Sequence, residues 1–449
     1  MKQTRVVVVG AGSAGCVLAA RLSEDPAVVV TLLEAGPDPW PDPAADEVRG
    51  SSFVRAMALP EHYWPLLEAS RVAGDTPRLY RRGRGVGGSS AINAMVALPG
   101  EPADYDAWER QHGCAGWGWA DVAPWFSRTL LSLHTASADE WGPVARAAAR
   151  VWPQCSDGVA LTRTAAGRRV SVADCYLDPV RSRPNLVVRG DALVERVLLT
   201  GRRAVGVRLV DGGEIDADLV IISAGAVHSP AMLLRSAVDV AGVGENLHDH
   251  PSVAVALDLC EPADTWSLSI ATVVQLSREP GDHDLQVVPM EYVDASLPQL
   301  GVLMGAVMRV HSRGSVCLAS DDPTVDPLVN FNMLSDERDV TGMHAVADAL
   351  EAAAGSAAMR LVGSPVPFDR TDAGLRAAAG DYVHAAGTCS MGTVVDSMCR
   401  VQRYENLMVC DASVMPSLPR ANTHLPTVMI AERIASITRA RLSELAGDS

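Results

Sequence analysis

Three glycines and one acid near the start of the chain have a spacing that indicates a binding function. Gly10, Gly12 and Gly15 form a GxGxxG pattern, and Glu34 lies 19 residues beyond the last glycine. In this pattern the first glycine permits a tight turn, the second lets a pyrophosphate approach the backbone, and the third lets a helix pack closely on a strand. The acid is where a carboxylate can accept hydrogen bonds from ribose hydroxyl groups. The spacing predicts a dinucleotide site; the alternative is a glycine-rich turn without a ligand, and the motif does not separate NAD from FAD.

The residues around this motif predict the elements that must position it. The β-branched run Arg5–Val9 predicts a strand, and the Ala- and Leu-rich segment Cys16–Ser23 predicts a helix. The apolar run Val28–Leu33 predicts a second strand. Strand, glycine turn, helix and strand form a βαβ unit, whose helix N-terminus offers unpaired N–H groups to phosphate.

A second glycine-rich segment, Arg81–Asn93, is basic. Its glycines and serines can direct backbone N–H and hydroxyl groups at an anion. The alternative is a plain flexible loop. We disfavour that alternative because the loop runs directly into the apolar segment Ala91–Leu98, which has a helix-like pattern.

Histidine and cysteine residues raise two further kinds of chemistry. In His248-Asp249-His250, alternation along a strand would place both imidazoles on one side, but two ligands do not complete a metal site. Cys389, which follows His384 closely, suggests a Cys–His nucleophile. The sequence contains 11 histidines, and an isolated histidine is more commonly a packed core or surface residue. These residues alone therefore leave the chemistry open.

The composition excludes several classes of partner. Of 449 residues, 38 are Lys or Arg and 54 are Asp or Glu, which gives a formal net charge of −16. This acidity argues against nucleic acid and anionic membrane as partners. No apolar run approaches a membrane span, and a strand that begins at residue 5 leaves no room for a signal peptide, so we expect a cytoplasmic protein without membrane insertion. The 9 cysteines are scattered without a CxxC pair, which favours reduced thiols.

The remainder of the chain predicts a second group of elements. In chain order these are an irregular excursion over 37–74, a β-meander over 187–222 that returns to the nucleotide sheet, an antiparallel sheet within 253–345, a helical region over Asp336–Ala358, a strand over Leu407–Cys410 and a last helix from about Pro426 to Leu445. The antiparallel sheet indicates a second lobe.

Several motifs, in order along the chain, resemble the glucose–methanol–choline (GMC) family of FAD-dependent oxidoreductases. Gly10–Gly15 opens the series. Gly83–Asp106, GRGVGGSSAINAMVALPGEPADYD, is similar to the first family signature, and Gly225–Leu234, GAVHSPAMLL, is similar to the second. The stretches VGENLHDH, HAAGTCSMG and DASVMP also match. The resemblance runs nearly end to end and implies FAD rather than NAD.

The resemblance implies oxidation of an alcohol CH–OH group to an aldehyde or ketone. A base would remove the hydroxyl proton while flavin N5 accepts the hydride. His384 matches the family's catalytic base, and His424 matches a second position that would hydrogen-bond the substrate oxygen. On this interpretation Cys389 is a packed small residue, the His248–His250 stretch is a structural turn, and no metal is expected.

The resemblance also implies a set of cofactor contacts. These are Gly10, Gly12, Ser13, Ala14 and Gly15 at the pyrophosphate, Glu34 at the ribose, Gly87, Gly88 and Ser89 at the phosphates from the other side, Asn93, Ala94 and Met95 at the isoalloxazine ring, Val194 at the adenine, Asp411, Ala412, His424, Pro426 and Thr427 at the ribityl and pyrimidine end, with Ala35, Arg84, Val96 and Ala224 as further contacts. Trp64 is expected near the flavin. Some relatives bond the flavin covalently through a histidine where this chain has Ile92, so we expect non-covalent FAD.

The implied fold is α/β, with an FAD-binding Rossmann-like domain of the glutathione-reductase type and an interleaved α+β substrate domain built on an antiparallel sheet. The predicted FAD-binding domain comprises residues 1–36, 75–133, 185–252 and 385–449, and the predicted substrate-binding or cap domain comprises 37–74, 134–184 and 253–384. In family terms, the N-terminal region covers about 4–252 and the C-terminal region about 306–435.

The chain departs from the family in two ways. The second signature usually closes with Ser-Gly-x-Gly, whereas this chain has Ser236-Ala237-Val238-Asp239. The chain is also short, and the missing length falls in the substrate lobe, between 126 and 171, 251 and 312, and 336 and 384. A shortened lobe would give a more open pocket for a small-molecule alcohol, including a bulky or carrier-presented one in a specialised biosynthetic pathway.

Three functions stay open at this point. The first is alcohol oxidation with oxygen, a quinone or another carrier as electron acceptor. The second is a redox-neutral, FAD-containing lyase of the hydroxynitrile-lyase kind, with histidine as base. The third is a flavin-binding protein without turnover.

Overall fold

A computed structural model of the chain describes residues 3–40, 50, 52–155, 157–263, 268–294 and 296–447. The parts of the predicted domain ranges at 1–2, 41–49, 51, 156, 264–267, 295 and 448–449 lie outside the described residues. The strands are β1 (Thr4–Val9), β2 (Val28–Leu33), β3 (Glu68–Ser70), β4 (Arg78–Leu79), β5 (Leu133–Thr135), β6 (Ala160–Thr162), β7 (Leu186–Arg189), β8 (Val194–Thr200), β9 (Arg203–Leu209), β10 (Glu214–Asp216), β11 (Leu219–Ile222), β12 (Ser252–Leu259), β13 (Val274–Leu276), β14 (Leu285–Glu291), β15 (Leu300–Val307), β16 (Ser315–Cys317), β17 (Leu328–Asn330), β18 (Gly363–Pro365) and β19 (Leu407–Val409).

The α-helices lie between groups of these strands and at the end of the chain. They are α1 (Gly15–Leu22), α2 (Phe53–Met57), α3 (Pro102–His112), α4 (Trp119–Phe126), α5 (Pro143–Val151), α6 (Gly225–Arg235), α7 (Glu337–Ala354), α8 (Ala357–Arg360), α9 (Asp372–Ala378) and α10 (His424–Gly447). No helix in the described part of the chain is long and apolar enough to cross a bilayer. The cytoplasmic location stays a prediction.

A parallel five-stranded sheet carries the predicted βαβ unit. Its order is β19-β11-β1-β2-β7, and each neighbouring pair is parallel. β1 and β11 read as apolar runs because both faces of a parallel sheet are covered. α1 packs against the last helix, α10, where Arg21 donates hydrogen bonds to Glu432. The carboxyl ends of β1 and β2 therefore meet the start of α1 at one edge of the sheet.

An antiparallel five-stranded sheet forms the second large layer, in the order β13-β14-β15-β12-β18. Its core is separate from that of the parallel sheet and includes one face of α7. The predicted combination of α/β fold and antiparallel second sheet is confirmed. The exact domain boundaries stay a prediction.

Two local predictions were wrong. Ala91–Leu98 is not a helix, because Met95 has a positive φ of 65° and its N–H donates to the Asn93 side chain, which turns the chain. The stretch 187–222 is not one meander. Its first strand, β7, joins the parallel sheet beside β2, whereas β8, β9 and β10 form a separate antiparallel sheet.

Candidate active site

A cavity of about 440 Å³ lies between the carboxyl edge of the parallel sheet and the antiparallel sheet. Most of the predicted site residues line it, namely Gly10, Gly12, Ser13, Ala14, Glu34, Ala35, Gly88, Ser89, Asn93, Ala94, Met95, Val96, Val194, Ala224, His384, Asp411, Ala412, His424 and Thr427. Trp64 and Ile92 line it as well. Four predicted residues, Gly15, Arg84, Gly87 and Pro426, lie outside the lining.

The two glycine loops touch each other at the cavity wall. A Cβ atom at Gly88, where φ is +52°, would lie 2.7 Å from Gly12 Cα. A Cβ atom at Gly15 would lie 1.8 Å from the Gly10 carbonyl oxygen. A Cβ atom at Gly12 would meet no protein atom within 4 Å. Gly15 is therefore required by packing, whereas Gly12 leaves open space in front of a helix N-terminus that has no side-chain cap, which fits a pyrophosphate.

Glu34 links the two glycine-rich loops through hydrogen bonds. Its carboxylate accepts hydrogen bonds from the backbone N–H groups of Ala11 at 2.8 Å, Gly36 at 3.0 Å and Gly85 at 3.0 Å. Burial raises the pKa of Glu34, and these three N–H groups act in the opposite direction. Because Oε2 receives one of the three bonds, it retains acceptor capacity toward the cavity, as the ribose prediction requires.

Two of the residues outside the lining, Gly87 and Arg84, support these loops. The Gly87 N–H donates to the Ala11 carbonyl at 2.8 Å. Arg84 donates to the Ala35 carbonyl at 3.0 Å, and its guanidinium lies 5.5 Å from the centre of a Trp64 ring. These contacts hold the second loop against the first.

His384 stands at the other end of the cavity and is held at three points. Its backbone N–H donates to Asp249 Oδ2 at 2.9 Å, and its Nδ1 lies 3.0 Å from His250 Nδ1. Its Nε2 lies 3.3 Å from Asn422 Nδ2. Because the Asn422 amide donates, Nε2 is the acceptor, so the proton of neutral His384 sits on Nδ1 and is donated to His250.

Burial keeps this pair of histidines neutral. Burial, the neighbouring His250 and the positive charge of Arg82 hold the pKa of His384 well below its ordinary value. Burial lowers the pKa of His250 to about 3, against the opposing effect of the Pro419 and Met308 carbonyls. At neutral pH, His384 therefore presents an unprotonated Nε2 to the cavity, as a general base must.

His424 is not hydrogen-bonded to His384. It begins α10, and its Nδ1 lies 2.9 Å from Ser13 Oγ, on the nucleotide side of the cavity. Burial lowers the pKa of His424 to about 4. Asn422, two residues earlier, occupies the place beside His384. The sequence analysis missed Asn422 because the family motif was matched to His424 as the residue that would hydrogen-bond the substrate oxygen.

The His248–His250 stretch is not a strand; β12 begins at Ser252. Asp249, His250 and His384 bring ligand-type atoms within 4.8 Å of one another, and His248 is not part of this group. Asp249 accepts from the N–H groups of His250 and His384, and the two imidazoles share their Nδ1 contact. The arrangement orients His384 and leaves little free ligand capacity for a metal.

Cys389 is fully buried, and burial raises the pKa of its thiol. A reactive cysteine needs the opposite, a stabilised and accessible thiolate. The packed-residue interpretation of Cys389 therefore fits the structure better than a Cys–His nucleophile.

Arg169 is a second residue that sequence reasoning missed. It is 3% exposed, and its Nη1 donates to both the backbone and the side-chain oxygen of Asn93. Its Nε and Nη2 are buried without a hydrogen-bond partner. Burial lowers the pKa of Arg169 to about 9. A buried cation thus fixes the turn that sequence analysis assigned to the isoalloxazine ring.

Comparison with known proteins agrees with this geometry. Two family models, each described as GMC oxidoreductase, match residues 4–252 and 310–431. The chain is 32% identical to 5-(hydroxymethyl)furfural oxidase of Methylovorus sp., over 96% of this chain and 97% of that protein. It is 33% identical to mitochondrial choline dehydrogenase of Mus musculus, over 96% of this chain and 89% of that protein. The first alignment spans 524 positions, more than the 449 residues of the chain, so that relative has segments this chain lacks.

Solved structures show the same fold. Pyridoxine 4-oxidase from Mesorbium loti superposes with a TM-score of 0.88 at 26% identity, over 97% of this chain and 99% of that one. Formate oxidase of Aspergillus oryzae RIB40, in a variant studied for FAD modification, superposes with a TM-score of 0.86 at 20% identity, over 99% and 100%. The predictions of family, enzyme class and FAD cofactor are confirmed. The chain belongs to the GMC oxidoreductases, a family of FAD-dependent enzymes with alcohol-oxidising members.

Proposed function

We propose that the chain oxidises the CH–OH group of a small-molecule alcohol to an aldehyde or ketone, with His384 as the base. The observation that carries this proposal is the hydrogen-bonded chain His250–His384–Asn422, in which the unprotonated Nε2 of His384 lies at the cavity. An alcohol whose oxygen takes the place of the Asn422 contact would give its proton to this nitrogen. The Asn422 amide would then donate to the same oxygen as negative charge develops on it.

His424 has a different place in this proposal. Its Nδ1 is engaged with Ser13 in the first glycine loop, so it would act from the cofactor side of the cavity. At neutral pH it is uncharged. We infer that Asn422 performs the contact with the substrate oxygen that the sequence assigned to His424.

The cavity wall supports non-covalent FAD. The open space at Gly12, the tied glycine loops and the free acceptor capacity of Glu34 are what a pyrophosphate and ribose need. When bound, FAD would accept the hydride from the alcohol carbon. Ile92 lines the cavity with an aliphatic side chain that has no atom able to bond to a flavin. We further infer that the electron acceptor is oxygen, a quinone or another carrier.

The parallel sheet and the antiparallel sheet support the division into an FAD-binding domain and a substrate domain, whose boundaries we retain as predicted. The two meet at the cavity, with Gly12 on one side and His384 on the other. Such a division suits a reaction in which one lobe holds the cofactor and the other encloses the alcohol.

The test is anaerobic reduction of the flavin in purified holoenzyme by a panel of alcohols. We expect a substrate to bleach the flavin absorbance, and we expect His384→Ala to slow this step by roughly 10²- to 10⁴-fold at unchanged FAD content. His344→Ala is the matched control, because His344 is exposed and paired with Asp372. Dithionite should bleach all three proteins equally.

Equal reduction rates in His384→Ala and the parent would overturn the role of His384. Failure of every alcohol, together with cleavage of a cyanohydrin, would replace the proposal with a redox-neutral lyase. Yellow colour that stays with acid-precipitated protein would show a covalent flavin.

A further inference from the structure

The substrate side of the cavity is an apolar wall. Val288 and Met290 alternate on one face of β14, and Met304 of β15 is paired directly with Val288. Ile270 and Val273, which precede β13, extend the same wall. Ile270, Val288 and Met290 belong to one buried apolar cluster, which also contains Met95, and Val273 and Met304 pack against it. The wall therefore runs without a break from the predicted flavin position into the antiparallel sheet.

The acids that line the cavity in the described part of the chain are already engaged. Glu34 accepts from three backbone N–H groups. Asp381 accepts two hydrogen bonds from Arg71, at 2.6 and 2.8 Å. Asp411 accepts from the N–H groups of Gly225 and Ser413 and from the Ser229 hydroxyl. None of these carboxylates stands unpaired where the apolar wall faces His384.

A positive charge of the cavity lining lies close to His384. Arg82 lines the cavity and donates to the Val383 carbonyl at 2.5 Å, one residue before His384. Its charge is among the causes that lower the pKa of His384. The Tyr382 hydroxyl, which could otherwise face a ligand, donates to Gln286 at 2.8 Å. A cationic group would therefore lose its hydration and meet a guanidinium instead of a carboxylate.

We propose that this cavity takes an uncharged alcohol whose non-reacting part is apolar, and that it rejects quaternary ammonium alcohols. The inference rests on the proposed function for its catalytic readout and deepens it by naming the substrate class. It predicts a substrate different from choline, the substrate in the name of the 33% identical relative choline dehydrogenase. Sequence identity over nearly the whole chain does not report which side chains face the substrate.

The test uses two alcohols of the same shape. Choline and 3,3-dimethyl-1-butanol differ in one atom, a charged nitrogen in place of a quaternary carbon. We expect the neutral compound to reduce the flavin of the holoenzyme with at least a 100-fold higher second-order rate constant. Along 1-butanol, 1-pentanol and 1-hexanol we expect an increase of about fourfold per added methylene.

A negative charge introduced into the apolar wall tests whether electrostatics cause the preference for the neutral alcohol. Met304→Glu puts a carboxylate on the half-buried face of β15, and Met304→Gln is its uncharged match. We expect the Glu variant to reduce the preference for the neutral alcohol by tenfold or more, and the Gln variant to keep most of it. Equal preference in the two variants would count against an electrostatic origin and overturn the inference.

Binding distinguishes failure of this inference from failure of the proposed function. If neither alcohol reduces the flavin, the absorbance change of the oxidised flavin on titration with each compound gives its affinity. Tighter binding of 3,3-dimethyl-1-butanol would support the inference, whatever the outcome for alcohol oxidation with the wider panel. Equal or tighter binding of choline, or no binding of any alkanol in the series, would overturn the inference.

Discussion

The two sides of the cavity are built by opposite means. On the nucleotide side, backbone approaches backbone, as at Gly15 against Gly10 and at Gly88 against Gly12, and the buried Glu34 is satisfied by three N–H groups. On the substrate side, apolar side chains from neighbouring strands meet, as Val288 and Met304 do. The first construction tolerates almost no change of residue type, whereas the second changes its specificity with each side chain. The nucleotide side can therefore keep the same cofactor while side-chain changes on the substrate side alter the substrate specificity.

The largest effect is expected from substitution of two neighbouring glycines on the nucleotide side, Gly12 and Gly15. Gly15→Ala would place Cβ 1.8 Å from the Gly10 carbonyl oxygen, so we expect both the fold and FAD binding to be lost. Gly12→Ala meets no protein atom within 4 Å, so we expect a folded protein that has lost most of its FAD affinity, because the methyl group occupies the pyrophosphate position. Thermal unfolding of the apoprotein and flavin content after gel filtration check the pair. A fully flavinated Gly12→Ala protein would contradict the assignment of this space.

The second prediction compares two buried glutamates, Glu34 on the nucleotide side of the cavity and Glu291 on the substrate side. Glu291, at the end of β14, accepts from the Val144 N–H at 3.0 Å at the start of α5, and burial raises its pKa to about 7. A carboxyl group with a raised folded-state pKa destabilises the fold as pH rises, from its unfolded pKa near 4.5 up through 7. We expect this to cost about 3 kcal/mol of unfolding free energy at pH 8 and almost nothing at pH 4.5.

Glu291→Gln should therefore match the parent in Tm at pH 4.5 and exceed it at pH 8, at unchanged FAD content. Glu34→Gln is the counterpart, and we expect it to lower FAD content because its carboxylate faces the ribose position. A Glu291→Gln protein that is less stable than the parent at pH 8 would show that the hydrogen bond to α5 outweighs the buried charge.

A smaller effect is expected behind the second glycine loop. Arg169→Met removes the cation that donates to both oxygens of Asn93. We expect FAD affinity to fall about tenfold, since hydrogen bonds from a charged donor are worth about 1.5–3 kcal/mol. Fluorescence of released flavin measures the dissociation constant. Arg168→Met, at the exposed neighbour, is the matched control, and equal affinities in the two variants would remove Arg169 from the cofactor site.

The smallest effect is expected on the substrate side. Met290→Val shortens one side chain of the apolar wall, and we expect a loss of about fivefold in the rate constant for a large apolar alcohol, since each buried methylene contributes about 0.8 kcal/mol. FAD content should not change. Stopped-flow reduction measures the rate, with Met398→Val, at an exposed methionine, as the control. A loss of flavin from Met290→Val would show that the two sides are not independent.

The success of prediction from the sequence differs between the same two sides of the cavity. The βαβ unit, the two glycine loops, Glu34 and His384 were predicted because each uses a residue type that backbone approach or acid–base chemistry requires at a set spacing. The helix over Ala91–Leu98 was wrong, because the Asn93 side chain and the positive φ of Met95 override an apolar pattern. The prediction that β7 belongs to a meander was wrong, because the alternation of apolar and polar residues does not indicate which sheet a strand joins.

His250, Asn422 and Arg169 escaped prediction for a physical reason. His250 is 134 residues from its partner His384, and Arg169 is 76 residues from Asn93. Nothing in the residue types at these positions distinguishes a hydrogen bond across the cavity from ordinary burial. Proximity of this kind exists only after two sheets have packed together.

By itself, the sequence determined that this chain has the glycine turns, the acid and the histidine of a GMC oxidoreductase, because these functions depend on residue type and local spacing. The tertiary structure decided that Asn422 rather than His424 stands beside His384. It also decided that an apolar wall faces His384, and that every acid lining the cavity among the described residues is engaged in hydrogen bonds. These features depend on which side chains of distant strands meet, and that is set by sheet register and packing rather than by position along the chain.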